Sequence, residues 1–136
     1  MSTYTEIKAG LAHVIGQSAN LSVVYADPTD TPITPSAMIV PAGQAVTYKQ
    51  AMQNGLAILE FRVSIMVQRF DQAANIARLD PFVYGPDSLN ALIDADRTLN
   101  GTVSDAVVTR CTNIGIVGFG DDTYLGAEFE IEVYAE

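Results

Sequence analysis

The chain is poor in the residues that most chemistries need. Cysteine occurs once, at Cys111, and histidine once, at His13, so no intrachain disulfide is available and no credible zinc set can be assembled. A lone thiol suits a reducing interior. Basic residues are scarce: seven Lys and Arg stand against sixteen Asp and Glu, for a formal net charge of −9. Nucleic-acid binding through phosphates depends on clustered cations releasing counterions, and this balance argues against it. Long apolar runs are missing as well. The longest, Gly55 to Val67, is broken by Glu60, Arg62 and Ser64 and falls short of the roughly 20 residues of a membrane span. The opening Met1-Ser2-Thr3-Tyr4-Thr5-Glu6 has neither the basic end nor the apolar stretch of a secretory signal, which predicts a protein that stays in the cytoplasm where it is made.

What is present is apolar. Of 136 residues, 49% are hydrophobic and 17% charged, and the mean hydropathy is slightly positive. That length predicts one domain, residues 1–136, around one core. The shortage of charge leaves more apolar surface than a small monomer needs to hide, which points to self-association.

Periodicity predicts the elements. An amphipathic helix is expected from about Tyr4 to Gln17, with Ile7, Leu11, Val14 and Ile15 on one side, Thr3 and Glu6 spaced as a capping box, and Gly16 near the stop. Leu21 to Tyr25 and Ala37 to Val40 read as short strands, the second closed by Pro41 and Gly43. The segment 27–32 reads as a loop, and Gln44 to Asn54 stays open between helix and strand. From Leu56 to Arg69 the alternation is clear: Ala57, Leu59, Phe61, Val63, Ile65 and Val67 form one face, Glu60, Arg62, Ser64 and Gln68 the other. A helix is expected from Asp71 to Leu79, ended by Pro81, and another from Asp87 to Asp96 with Leu89, Leu92 and Ile93 inward. Two strands, Val103 to Val117 and Tyr124 to Ala135, joined by a loop from Gly118 to Asp122, complete an α+β plan: a largely antiparallel or mixed sheet with helices on one face.

The candidates for chemistry are weak. His13 falls opposite the apolar side of the first helix, without a positioned partner. Asp94 and Asp96 would diverge by about 200° on a helix and cannot share an ion unless the helix has ended. Asp121 and Asp122 suit a turn. The glycines at 115, 118 and 120 lack the following helix and Gly-Lys-Ser/Thr ending of a phosphate loop, and hairpin geometry accounts for them. Cys111 sits in a strand pattern with no histidine nearby, and no Gly-x-Ser-x-Gly occurs. The expectation is therefore no enzyme: no catalytic residue, no cofactor, no metal. The most ordered polar feature is the row Glu128, Glu130 and Glu132, which projects from one face of the last strand while Phe129, Ile131 and Val133 project from the other.

The order of segments Thr47-Tyr48-Lys49-Gln50-Ala51 to Gly55, Ser88-Leu89 to Ile93, Asp94-Ala95-Asp96-Arg97-Thr98-Leu99-Asn100-Gly101, and finally Tyr124-Leu125-Gly126-Ala127-Glu128-Phe129 resembles that of tail terminator proteins of long-tailed bacteriophages, especially those of actinobacterial hosts. In that family a short helix runs into a D-x-T-L-x-G turn, here Asp96, Thr98, Leu99 and Gly101, and the chain stops on a Y-L-G-A-E-F strand. The resemblance spans most of the chain from Thr47 onward. It implies a structural virion protein of the tail neck: a homohexameric ring, possible as a monomer before assembly, that caps the head-proximal end of the tail tube and ends its polymerisation. Its partners would be further copies of itself, the major tail tube protein and the head connector or stopper. It would be made in the bacterial host cytoplasm, without membrane contact. DNA would pass through without specific binding, and Glu128, Glu130 and Glu132 are then expected on the DNA-passage face, where negative charge repels phosphate.

Two alternatives remain at this point. One is another neck or head-completion connector protein. The other is a small cytoplasmic ligand-binding domain or enzyme with a pocket built from Tyr48, Tyr84 and Tyr124.

Overall fold

A computed structural model describes residues 3–18, 21–26, 34–47, 57–69, 76–86, 88–119 and 122–135. The first helix, α1 (Tyr4–Ile15), starts where Thr3 Oγ1 accepts the Glu6 amide and ends at Gly16, whose amide bonds to the Ala12 carbonyl. Its buried side carries Ile7, Leu11, Val14 and Ile15, the stripe expected from the spacing. Strands β1 (Val23–Tyr25), β2 (Ser36–Thr47) and β3 (Ala57–Arg69) follow, then a 3-10 turn (Ile76–Leu79), helices α2 (Asp80–Val83) and α3 (Leu89–Ala95), and strands β4 (Asp105–Phe119) and β5 (Asp122–Ala135).

The five strands lie in the order β1-β2-β3-β5-β4. β1 runs parallel to β2, and every other neighbouring pair is antiparallel, so the sheet is mixed. The α+β plan holds. Leu59, Phe61, Val63 and Ile65 of β3 and Ala127, Phe129, Ile131 and Val133 of β5 share one core with the inward residues of α1, α2 and α3. Alternation does this: each strand places every second side chain under the helices. Phe61 is fully buried, and the ring of Tyr4 tilts against it at 5.5 Å between centroids.

Several expected boundaries differ. Pro41 does not close β2, which continues to Thr47. β1 covers β2 only from Ser36 to Met38, and the β2–β3 register shifts between Pro41 and Val46. A residue lacking an N–H is tolerated at such an uncovered edge and bulge. Pro81 does not end a helix either: it sits in the first turn of α2, where the missing amide proton costs nothing. The expected helix from Asp71 is a 3-10 turn from Ile76 to Leu79 over the described part; residues 71–75 lie outside the described residues, as do 27–33 and 48–56. Asp87 does too, and Ser88 caps α3, its Oγ accepting the Ala91 amide. The last two strands pair as far as Phe119 and Asp122, so the connection is tighter than the five-residue loop expected. Gly115, assigned to that hairpin, instead occupies a bulge inside β4, with φ 119° beside Asn113 at φ 53°.

Candidate functional site

The acidic row is built by the register of the last strand. Antiparallel pairing sets Glu128, Glu130 and Glu132 of β5 opposite Ser64, Arg62 and Glu60 of β3, and opposite Thr112, Arg110 and Val107 of β4. Because Phe129, Ile131 and Val133 are buried under the helices, the glutamates project from the opposite face, as the alternation requires; among the described residues no helix lies on that face. That face is half-buried rather than open: the side chains of Glu128 and Glu130 are 16% and 30% exposed.

Partial burial of carboxylates demands partners, and the neighbouring strands supply them. The Arg62 guanidinium lies 3.6 Å from Glu128 and 3.9 Å from Glu130. From the other side Arg110 reaches Glu130 at 2.7 Å. Asn113 donates its side-chain amide to Glu128, and the bulge that turns Asn113 to positive φ aims it there. The Tyr134 hydroxyl donates to Glu132 at 2.7 Å; this bond, helped by burial, holds the Tyr134 phenol above its ordinary pKa. Glu60 and Glu132 face each other across β3 and β5. On this face the described carboxylates are Glu60, Glu128, Glu130, Glu132 and Asp105, and the described guanidiniums that meet them are those of Arg62, Arg110 and Arg97, so the described charges remain net negative. Sequence reading found the glutamates and missed their partners. Arg62 was legible as a polar-face residue of β3, but which carboxylates it meets depends on register.

The second predicted constellation, Asp96, Thr98, Leu99 and Gly101, is a structural turn belonging to the helix layer. Asp96 caps α3; one carboxylate oxygen accepts the Asn100 amide and the other the Thr98 hydroxyl, both at 3.0 Å. Thr98 Oγ1 in turn accepts the Gly101 amide. Leu99, Asn100 and Gly101 all take positive φ, at 49°, 61° and 81°. Glycine and asparagine enter that region readily, whereas Leu99 is a bulky residue that resists it; it adopts it nonetheless and is fully buried in the core. The turn docks on α1 through Gly10, where an added Cβ would strike the Leu99 carbonyl oxygen and lie 2.7 Å from Thr102 Oγ1. Arg97 then grips Asp105 at the start of β4 through two contacts of 2.7 and 2.8 Å. This pairing raises the Arg97 pKa and lowers that of Asp105. The side-chain oxygens of Asp96 and Thr98 thus stabilise a chain reversal. The glycine of the closing Tyr-Leu-Gly-Ala-Glu-Phe strand has a similar origin: a Cβ at Gly126 would collide with the Ile65 carbonyl oxygen, beside the bulge between Met66 and Gln68.

The other candidates do not converge. His13 is exposed on α1, and Asp94 is exposed on α3 while Asp96 is engaged in the turn. Among the described residues no three His, Cys, Asp or Glu side chains are placed to hold a metal ion. Tyr124 is buried with Met38, Met66 and Val117 on the sheet face opposite the described helices, whereas Tyr84 is 91% exposed between α2 and α3. These two tyrosines therefore share no pocket, and Tyr48 lies outside the described residues. A groove of about 510 Å³ does exist elsewhere, between α3 and β4, lined by Val83, Tyr84, Ala91, Val108, Cys111 and Phe129. Burial pushes the Cys111 thiol up, away from the thiolate a nucleophile needs. Among the described residues no helix is long and apolar enough to cross a membrane. Compared with models of known protein families and with curated proteins, the chain matches none.

Proposed function

We propose that the protein is a structural subunit of a bacteriophage tail neck that assembles as a ring on the head-proximal end of the tail tube, ends its growth and offers the joining surface to the head. The observation that carries this reading is the sheet face opposite the described helices, half-buried, crossed by ion pairs from Arg62 and Arg110 to the glutamate row, and net negative in its described charges. A surface of that kind suits a passage for DNA: fixed carboxylates repel phosphate, and the two arginines are already engaged by glutamates. The resemblance in segment order from Thr47 to the closing strand supports the same reading. In a ring of six, the subunits would carry a formal net charge of −54, six times −9, so cohesion between them would rest on apolar and backbone contacts.

The test is electron microscopy of particles made when a phage carries a stop codon early in this gene. A tail terminator predicts tails that overgrow their normal length and do not join heads. Tails of normal length beside heads that leak DNA would refute that assignment and place the protein among head-completion components.

A further inference from the structure

The turn from α3 into β4 reverses the chain through three consecutive residues at positive φ, Leu99, Asn100 and Gly101. Asparagine and glycine enter that region at least cost, so the backbone demand sets Asn100 directly before Gly101, and both are exposed. That order has a chemical consequence. The Asn100 side-chain amide lies next to a main-chain nitrogen that no following side chain shields, and outside the neighbouring residues no described atom comes within 4 Å of where a Gly101 Cβ would stand. Attack of the Gly101 nitrogen on the Asn100 Cγ forms a C–N bond and closes an imide ring. The bond from Cγ to the side-chain nitrogen breaks, and ammonia leaves with the proton that solvent carries over from the Gly101 amide. Water then opens the ring at either carbonyl, giving aspartate or isoaspartate. Water is the only co-reactant.

We infer that Asn100 is a deamidation site held in check by the turn, with the Thr98 hydroxyl as the restraint on the attacking nitrogen. The φ of 61° at Asn100 belongs to the left-handed region, whose ψ is about +47°. That ψ swings the Gly101 nitrogen away from the Asn100 Cβ and keeps the reacting atoms apart, so Asn100 must leave this conformation before ring closure can begin. The rotation is opposed at both ends of the residue. The Asn100 amide donates to the Asp96 carboxylate at 3.0 Å, and the Gly101 amide, which is the nucleophile, donates to Thr98 Oγ1 at 3.3 Å. Asp96 also accepts the Thr98 hydroxyl at 3.0 Å, which leaves the lone pairs of Oγ1 for Gly101. These three bonds are exposed, so the turn opens locally at lower cost than the core does, and modification follows that opening. The product places a new carboxylate near Asp96, and the isoaspartate form adds a methylene to the main chain of a reversal whose Leu99 is fixed in the core and whose carbonyl abuts Gly10. Deamidation is thus a one-way loosening of the turn from α1.

Incubation of the full chain at mildly alkaline pH, followed by tryptic mapping, tests it. The fragment between Arg97 and Arg110 carries Asn100 as its one amide side chain, so its mass and isoaspartate content report this position alone, apart from Asn54-Gly55. In the folded chain, well below its melting temperature, Asn100 should convert roughly tenfold or more slowly than in the same fragment free in solution. Thr98→Val keeps the β-branched shape and removes the acceptor; it should raise the rate in the folded chain about threefold or more, with far-UV circular dichroism unchanged. Asp96→Ala, which removes both carboxylate contacts, should raise it as well. Equal rates in the folded parent and the free fragment overturn the inference, and so does a folded Thr98→Val protein that converts no faster than the parent. If neither variant folds, the comparison of parent with fragment decides. The readout needs no phage particle, so its failure and that of the terminator assignment are distinguishable.

Discussion

Gly10 sits in the middle of α1, where glycine is ordinarily a poor choice. Replacing a solvent-facing helix glycine by alanine stabilises by up to about 1 kcal/mol. Here the same change is expected to destabilise. The new methyl group would be driven into the Leu99 carbonyl oxygen and would lie 2.7 Å from Thr102 Oγ1 and 3.2 Å from its methyl carbon. Neither neighbour is free to retreat. Leu99 is held at positive φ, its carbonyl accepts the Thr102 hydroxyl at 2.8 Å, and its side chain is anchored in the core. Relief must come from separating α1 from the turn, which opens the packing of Ile7, Leu11 and Val14. Overpacking costs about 1 to 3 kcal/mol, and a clash with a held backbone carbonyl belongs at the upper end, so after a helix-propensity gain of up to about 1 kcal/mol the net loss should be about 2 kcal/mol. For a chain of this size that is a fall in Tm of roughly 4 to 8 °C. Urea denaturation followed by circular dichroism measures it, with the m-value unchanged if only the native state is affected. The cost should shrink in a Thr102→Ala background, a coupling that a double-mutant cycle reads directly. A Gly10→Ala protein as stable as the parent, or more so, would refute the docking of the turn on α1.

The remaining expectations are shorter. Phe61→Ala removes a fully buried ring that projects from β3 into the core, against Tyr4 of α1, and should cost about 3 to 5 kcal/mol in a denaturant titration. Gly101→Val forces a β-branched residue to the φ of 81° found there and should cost roughly 1 kcal/mol or more; an unchanged melting temperature counts against the turn. Changing Glu128, Glu130 and Glu132 together to Lys sets three cations against Arg62 and Arg110, so the midpoint should fall, more so at low salt, while Gln at the same positions keeps acceptors for Asn113 and Tyr134 and should lower it less. Equal loss at all salt concentrations would speak against those ion pairs. Asp105 has its carboxyl held below the ordinary range, chiefly by the hydrogen bond from Arg97; the stability it contributes is present above its unfolded pKa and is lost as pH falls through the depressed folded value. Asp105→Asn should therefore be less stable than the parent at neutral pH and converge with it in acid, and parallel stability curves across that range would exclude the pairing.

Periodicity in the sequence determined the elements that bury a whole face. α1 was legible from Ile7, Leu11, Val14 and Ile15, and β3 from its strict alternation, because each pattern has a period that one secondary structure alone satisfies. The side of β5 on which the glutamates stand followed from the same rule. Short irregular pieces were not legible. Pro41 and Pro81 read as stops because a missing N–H is costly where a partner strand or a preceding turn needs it, and only the tertiary arrangement places Pro41 at a bulge and Pro81 in a first turn. The acidic row likewise changed meaning in three dimensions. In sequence it was a line of like charges suited to water; in the fold, neighbouring strands bring Arg62, Arg110, Asn113 and Tyr134 against it, and strand register, a property of pairs of segments distant in the chain, decides which residues meet. Gly10 and Gly126 show the same division: composition records that a glycine is present, and only the approach of a distant backbone carbonyl explains why a side chain does not fit there.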